Sequence, residues 1–285
     1  MPVVWLASYP KSGNTWFRAF LHALSSPNSI DINAIDAGEW GPSANLFEDI
    51  IGLPFDELPS EERRRFRSAV IEQLARESES TIFWKTHEIF QLERDGCASF
   101  GRRSSARVIY LVRDPRDIAC SYAHHLGESL DDTIDRMSSP DHCSRFKRGG
   151  LVIEEPMGTW SQHVMSWLMQ TRLPVHRIRF EDLLCDPVRE FSKSLSFAGL
   201  EYSASEVSEA VNTTQFEMLQ AQELKAKFHE RPQTSVAFFR SGKSGGWRNE
   251  LSVAQVTSIE TEHAHAMRSL GYDNFEGCTI GGIRD

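Results

Sequence analysis

The strongest constraint on this chain lies near its start. The apolar, β-branched run Val3-Val4-Trp5-Leu6-Ala7 passes directly into Ser8-Tyr9-Pro10-Lys11-Ser12-Gly13-Asn14-Thr15-Trp16, and apolar residues then recur at Trp16, Phe17, Phe20, Leu21 and Leu24. This pattern predicts a buried strand, a tight turn and a helix over 15–24. Pro10 fixes one φ angle, while Ser12, Gly13 and Asn14 tolerate tight or left-handed geometry. Backbone N–H groups of Ser12 to Trp16 would then point out of a helix N-terminus, where partial positive charge favours a phosphate-like group. Lys11 adds a full charge there. A Walker A loop needs its lysine after the second glycine, but Lys11 precedes the turn's single glycine, Gly13, which disfavours a magnesium-ATP site.

At 285 residues the chain is long enough for a substantial core, and one domain over 1–285 is expected. The net charge is −9, and no Lys or Arg falls between Arg18 and Arg63. That interval instead carries Asp31, Asp36, Glu39, Glu48, Asp49, Asp56, Glu57, Glu61 and Glu62, which argues against a nucleic-acid partner. The N-terminus enters a strand without signal-peptide features, and no apolar run is long enough to span a bilayer. A cytoplasmic protein without membrane insertion is expected. Cys97, Cys120, Cys143, Cys185 and Cys278 are odd in number and form no Cys-x-x-Cys pair. Neither a disulfide framework nor a zinc site is signalled, and the thiols are expected to be reduced.

Further strands are predicted at 81–85, 107–112 and 175–180, and helices at 61–77, 115–126, 159–171, 187–198, 216–228 and 252–270. Pro115 and Pro187 stand where a first-turn proline belongs. Alternating β and α elements give an α/β fold with a central parallel sheet covered by helices on both faces. Ligands of such sheets gather at the carboxyl ends of the strands. Two long irregular stretches, 25–59 and 127–158, read as binding loops or lids, and the glycine-rich tail 271–285 reads as frayed.

Three more segments carry chemistry. Arg113-Asp114-Pro115-Arg116-Asp117 follows the predicted strand 107–112, and Ser121 lies about two turns into the next helix, so Arg113 and Ser121 could reach one anion. A structural ion pair of Arg113 with Asp117 or another acid is the plainer alternative. The stretch Phe239-Arg240-Ser241-Gly242-Lys243-Ser244-Gly245-Gly246-Trp247-Arg248-Asn249 mixes glycines that permit close approach with arginines that grip phosphate, and equally suits a flexible surface loop. Trp84-Lys85-Thr86-His87 ends the second strand. His87 can take a proton from an attacking hydroxyl, and Lys85 can stabilise developing negative charge. His124, His125, His163, His229 and His263 fall on predicted helices without a matching anion motif.

Taken in this order, the four segments resemble the sulfotransferases that use 3′-phosphoadenosine 5′-phosphosulfate (PAPS), the cytosolic and bacterial small-molecule branch especially, across residues 3–249. The resemblance implies a P-loop-NTPase-like three-layer sandwich, PAPS as donor, adenosine 3′,5′-bisphosphate (PAP) as product, and no metal. It implies that Lys11 contacts the leaving-group oxygen and that Ser12, Gly13, Asn14, Thr15 and Trp16 cradle the 5′-phosphate. Arg113, Ser121, Arg240, Ser241 and Gly242 would surround the 3′-phosphate. Trp16 and Phe216 would flank the adenine, Phe180 would stand where relatives often carry tyrosine, and Thr214 would touch the adenine edge. His87 matches the general base and Lys85 its companion cation, while Gly158-Thr159-Trp160 resembles a structural Gly-Ser-Trp helix.

Two departures from the family pattern stand out. Arg240-Ser241-Gly242 replaces Arg-Lys-Gly, and Gly245-Gly246-Trp247 replaces Gly-Asp-Trp; Lys243 or Arg248 is the candidate substitute for the missing cation. The competing functions are a P-loop phosphoryl transferase, disfavoured by the position of Lys11, and a silent adenine-nucleotide-binding protein, which would be expected to have lost Lys11 or His87. The acceptor is read as a small molecule presenting a hydroxyl or, less readily, an amine: a bacterial natural product, a glycopeptide or a lipid-linked hydroxyl. The acidic run 31–62 disfavours a polyanionic acceptor. No self-association motif sets an oligomeric state, and a homodimer stays open.

Overall fold

The computed structural model describes residues 2–26, 30–35, 41–92, 96, 99–148 and 151–273, with the side chains of 146–148 and 151–152 left aside. Along the chain the strands are β1 (Val3–Ser8), β2 (Ile82–Thr86), β3 (Ala106–Val112), β4 (Cys143–Arg148), β5 (Leu151–Pro156) and β6 (Val175–Arg179). The helices are α1 (Asn14–Ser25), α2 (Ala44–Ile51), α3 (Ser60–Glu77), α4 (Pro115–Leu126), α5 (Leu130–Met137), α6 (Trp160–Met169), α7 (Phe180–Cys185), α8 (Pro187–Ala198), α9 (Ala204–Thr213), α10 (Phe216–Ala226), α11 (Val253–Glu262) and α12 (Ala264–Leu270). Among the described residues, four strands form a parallel sheet in the order β2-β1-β3-β6, flanked by helices. Every residue of β1 is buried, as an uninterrupted apolar strand in a covered parallel sheet must be. Its register against β2 runs from Val3 opposite Ile82 to Ala7 opposite Thr86, which brings Ser8 and His87 out together at the strand ends.

Two compact units divide the chain: residues 1–9, 38–110 and 140–177 in the first, and 10–37, 111–139 and 178–285 in the second. The first is built on aromatic packing. Trp5 meets Phe100 edge-on at 5.3 Å, Phe100 meets Trp167 at 4.7 Å, and the indole of Trp5 donates to the Phe100 carbonyl. Rings of this size dominate burial, and edge-on contacts add to it. In the second unit, Phe20 of α1 stacks on Phe191 of α8 at 3.7 Å, with Phe17 beside them, which anchors the helix that follows the turn at Pro10 to Gly13.

Expected and observed elements agree closely where caps are written locally. In α4, Asp114 accepts the Arg116 amide, Pro115 opens the helix and Gly127 closes it in the left-handed region. The predicted helix 252–270 is in fact two helices, because His263, at φ −105°, leaves helical geometry between α11 and α12. The two stretches expected to be irregular hold α2 and α5, and β4 pairs antiparallel with β5. Gly149-Gly150 is a two-residue hairpin signal that would have revealed that pair. Cys185 is disulfide-bonded, which corrects the expectation of reduced thiols; linear spacing carries no information on which sulfurs meet in space. Cys120 and Cys143 are free thiols, while Cys97, Cys278 and the tail from 274 lie outside the described residues.

Candidate active site

The second unit brings together three of the segments expected to bind an anion, those at Lys11, Arg113 and Arg240. After Tyr9 the backbone twists so that Lys11 has φ +67° and Gly13 φ +98°. A left-handed lysine is uncommon, and a neighbour must hold it. Arg113, 8% exposed, does so: Nη1 donates to the Lys11 carbonyl at 3.1 Å and Nη2 to the Lys243 carbonyl at 2.9 Å. One guanidinium thus ties the loop before α1 to the glycine-rich segment near 243, and its Cζ lies 4.5 Å from the Phe180 ring centre. Asp117 is not its partner. That carboxylate accepts the Gly245 amide at 2.7 Å and the Trp247 amide at 3.1 Å, fixing the same segment from the other side. Buried Glu181 accepts the Asp114 amide and the Tyr272 hydroxyl, which sets the chain just past Arg113; burial pushes its carboxyl up to about 7.

Helix α1 begins at Asn14 with Gly13 as its N-cap, and no side chain caps it. The first-turn amides therefore lack the side-chain acceptor that usually meets them. Gly13 is required for space as well as for φ, since a Cβ there would sit 2.7 Å from Phe180 Cδ2. Gly242, at φ +61°, is packed in the same way against the ring of Phe216. Trp16 stands edge-on to Phe180 at 6.2 Å. Buried Ser12 Oγ, Trp16 Nε1 and Arg113 Nε have no hydrogen-bond partner. Orphaned polar atoms around an uncapped helix end, with two glycine cradles, fit a ligand carrying phosphates and an aromatic base.

The ammonium of Lys11 lies 3.5 Å from His125 Nδ1 and 4.2 Å from the Phe238 ring centre. Desolvation, aided by the charge of Arg113, lowers its pKa to about 7. Neither His125 nor Phe238 was singled out from sequence, because their approach depends on tertiary packing. Ser121 is half-buried on α4, and Phe216 opens α10 half-buried. Arg240 forks onto Glu250 through two 2.8 Å bonds, and Ser241 is exposed. Thr214 is fully buried, its hydroxyl donating to the Ala210 carbonyl at 2.7 Å, so that proton is committed to the end of α9.

The first unit holds the acid-base cluster. His87 Nδ1 lies 2.6 Å from the Ser8 carbonyl oxygen, an acceptor-only group. The ring must therefore carry its proton on Nδ1, which puts the basic lone pair of the neutral imidazole on Nε2. Main-chain contacts hold the residue from both sides: its amide donates to Glu155 Oε1 at 3.2 Å, and its carbonyl lies 3.1 Å from His163 Nε2. His163 is fully buried with its pKa lowered to about 3, chiefly by desolvation, so it is neutral and also bonds the Tyr110 hydroxyl through Nδ1. Glu155 is driven the other way. Burial, then the charge of Glu88, raises its carboxyl to about 8, so a proton is retained near neutrality. Lys85 is 5% exposed at the end of β2. Gly158-Thr159-Trp160 opens α6 through a capping box between Thr159 and Gln162. Sequence reasoning missed Glu155, which reaches His87 only because β5 lies beside the end of β2.

Among the described residues no group of three or more His, Cys, Asp or Glu is placed to hold a metal, and no helix is long and apolar enough to cross a membrane.

Comparison with known proteins bears on both clusters. A model of the sulfotransferase domain matches residues 2–271. Sulfotransferase 1A1 of Canis lupus familiaris is 26% identical over 279 residues, 93% of this chain and 83% of its own; flavonol 3-sulfotransferase of Flaveria bidentis is 22% identical over 270 residues, 90% and 79%. In fold, the chain is similar to a mouse sulfotransferase complexed with PAP (TM-score 0.55, 20% identity, 94% and 85% of the two chains). It is similar also to retinol dehydratase in a complex with retinol and PAP (TM-score 0.58, 18%, 93% and 81%). Since the family match runs from β1 through α12 and so takes in every segment built above, the chain belongs to the sulfotransferase family and is a PAPS-dependent enzyme.

Proposed function

We propose that the enzyme transfers the sulfuryl group of PAPS to a hydroxyl of a small molecule by in-line displacement, with His87 as general base. The donor supplies an activated sulfuryl group on its 5′-phosphate. His87 Nε2 takes the proton of the acceptor hydroxyl while the new O–S bond forms. The S–O bond to the phosphate breaks, its electron pair stays on the phosphate oxygen, and the products are the sulfate ester and PAP. Lys11 and the first-turn amides of α1 meet the charge that appears on that oxygen, the kind of pre-arranged stabilisation that contributes most in desolvated sites. Ser12 to Trp16 would hold the 5′-phosphate, Trp16, Phe180 and Phe216 the adenine, and Arg113, Ser121 and Gly242 the 3′-phosphate. Arg240 would join them by exchanging Glu250 for phosphate, one anion for another in the same fork. Residues 1–285 are read as one functional domain acting in the cytoplasm.

The observation that carries this reading is Lys11: a left-handed residue clamped by Arg113, with a desolvated ammonium at an uncapped helix end. Incubation with sulfur-labelled PAPS and a panel of phenols and alcohols is expected to release PAP in equal amount to labelled ester. PAP release without labelled ester in any acceptor, or no release at all, contradicts the reading.

A further inference from the structure

Helix α3 turns an unexpected face inward. Ser60, Arg63, Arg64 and Arg67 follow the i, i+3, i+4, i+7 spacing that ordinarily carries the apolar stripe of a core-facing helix, yet all four line one pocket of about 240 Å³ in the first unit. Trp5, Phe47 and Phe55 add aromatic walls to the same pocket. Lys85, Thr86 and Glu88 bring the end of β2 to the same pocket, and Glu155, which holds the His87 amide, lines it too.

Most charges in this pocket are already matched. Arg67 forks onto Glu88 at 2.6 and 3.1 Å and donates to the Ser99 carbonyl, so it serves the framework. Glu154 pairs with Arg145 at 2.8 Å. Glu155 keeps its proton near neutral pH, for the reasons given above. Arg63 is different. Its Nη2 donates to Ser60 Oγ at 3.2 Å and its guanidinium lies 5.0 Å from the Phe55 ring centre, but Nε and Nη1 are buried with no partner. Buried guanidinium N–H groups without an acceptor are costly, and a carboxylate or similar anion answers two of them at once. The acidic run does not oppose this: Asp49, Asp56, Glu57, Glu61 and Glu62 are exposed, and none lines the pocket. The acidic run 31–62 is expected to disfavour a polyanionic acceptor, and a compound with one negative charge falls outside that expectation.

We propose that this pocket receives the acceptor and selects a small aromatic hydroxyl compound bearing one carboxylate or comparable anion, with Arg63 gripping the anion and Phe47 and Phe55 bounding the ring. The proposal rests on the sulfotransfer reading above. Its volume lies below the roughly 300–1,000 Å³ typical of drug-sized ligands, which limits the acceptor to one or two rings.

The test is calorimetric binding of 4-hydroxyphenylacetate and of its methyl ester to the full-length protein saturated with PAP. The acid is expected to bind about tenfold or more tightly than the ester, the gain of a charged hydrogen-bond pair. In R63Q the ratio is expected to fall within about threefold of one, and R63K, which keeps the charge but not the fork, to lie between. Equal affinity of the two probes, no detectable binding of the acid, or a preference that survives R63Q overturns the proposal. A parallel assay with labelled PAPS separates it from the reading it rests on. An Arg63-dependent preference without labelled ester leaves the anion site standing and sinks sulfotransfer, whereas labelled ester with equal affinities does the reverse.

Discussion

In His87→Ala, sulfate transfer at saturating donor and acceptor is expected to fall by about 10²–10⁴-fold, the usual contribution of a positioned general base. PAP affinity is expected to stay within about twofold of wild type. The split follows from what His87 touches. Its Nδ1 is committed to the Ser8 carbonyl and its main chain to Glu155 and His163, contacts that orient the ring and leave Nε2 as the basic atom. These contacts lie within the first unit, whereas the segments proposed to hold the phosphates belong to the second. Single-turnover rates and PAP titration on the same preparation check both halves. Activity retained within tenfold would move the base to another residue, Glu88 being the nearest acid in sequence. Loss of PAP binding in parallel with turnover would make His87 a structural residue.

Lys11→Met is expected to lower turnover by about 10²–10³-fold, comparable to removing one donor from a pre-organised oxyanion site. It has a second signature that a purely structural lysine would lack. Buried beside Arg113, the ammonium has a pKa of about 7, so at pH 8 it is mostly neutral in the protein alone. A phosphate arriving next to it favours the charged form and raises that pKa. PAP binding at pH 8 is therefore expected to take up a proton, seen as a binding enthalpy that changes with the ionisation enthalpy of the buffer; at pH 6, where Lys11 is already charged, its share of the uptake fades. In K11M the uptake at pH 8 is expected to shrink. Identical proton uptake by wild type and K11M would show that Lys11 does not meet the phosphate.

Much of this arrangement was written in short range. The apolar run into β1, the Pro10-to-Asn14 turn and the Asp114-Pro115 start of α4 are local signals, and the strands and helices they announce formed within about one residue of expectation. Motif residues Lys11, Arg113 and Gly242 could be named because their residue types are constrained by the loop chemistry itself. What escaped was set by packing between distant segments. Glu155 on His87, His125 beside Lys11 and Glu250 on Arg240 join residues 68, 114 and 10 positions apart, and no local pattern marks those meetings. The arginine stripe of α3 escaped for another reason. Four arginines within the five residues 63–67 have the look of a solvated face, and only the position of the helix against Trp5, Phe47 and Phe55 turns three of them, Arg63, Arg64 and Arg67, into a pocket wall.

The central claim is that the loop before α1 and Arg113 together bind a nucleotide with phosphates at both the 3′ and 5′ positions. Calorimetric titration with PAP, adenosine 5′-monophosphate and magnesium-ATP, on wild type and on Arg113→Ala, tests it most directly. The account expects PAP to bind at least about 100-fold more tightly than the monophosphate, with most of that advantage lost in R113A, since charged hydrogen bonds of this kind each contribute about 1.5–3 kcal/mol. Equal affinity for PAP and the monophosphate, or tighter binding of magnesium-ATP than of PAP, would contradict it.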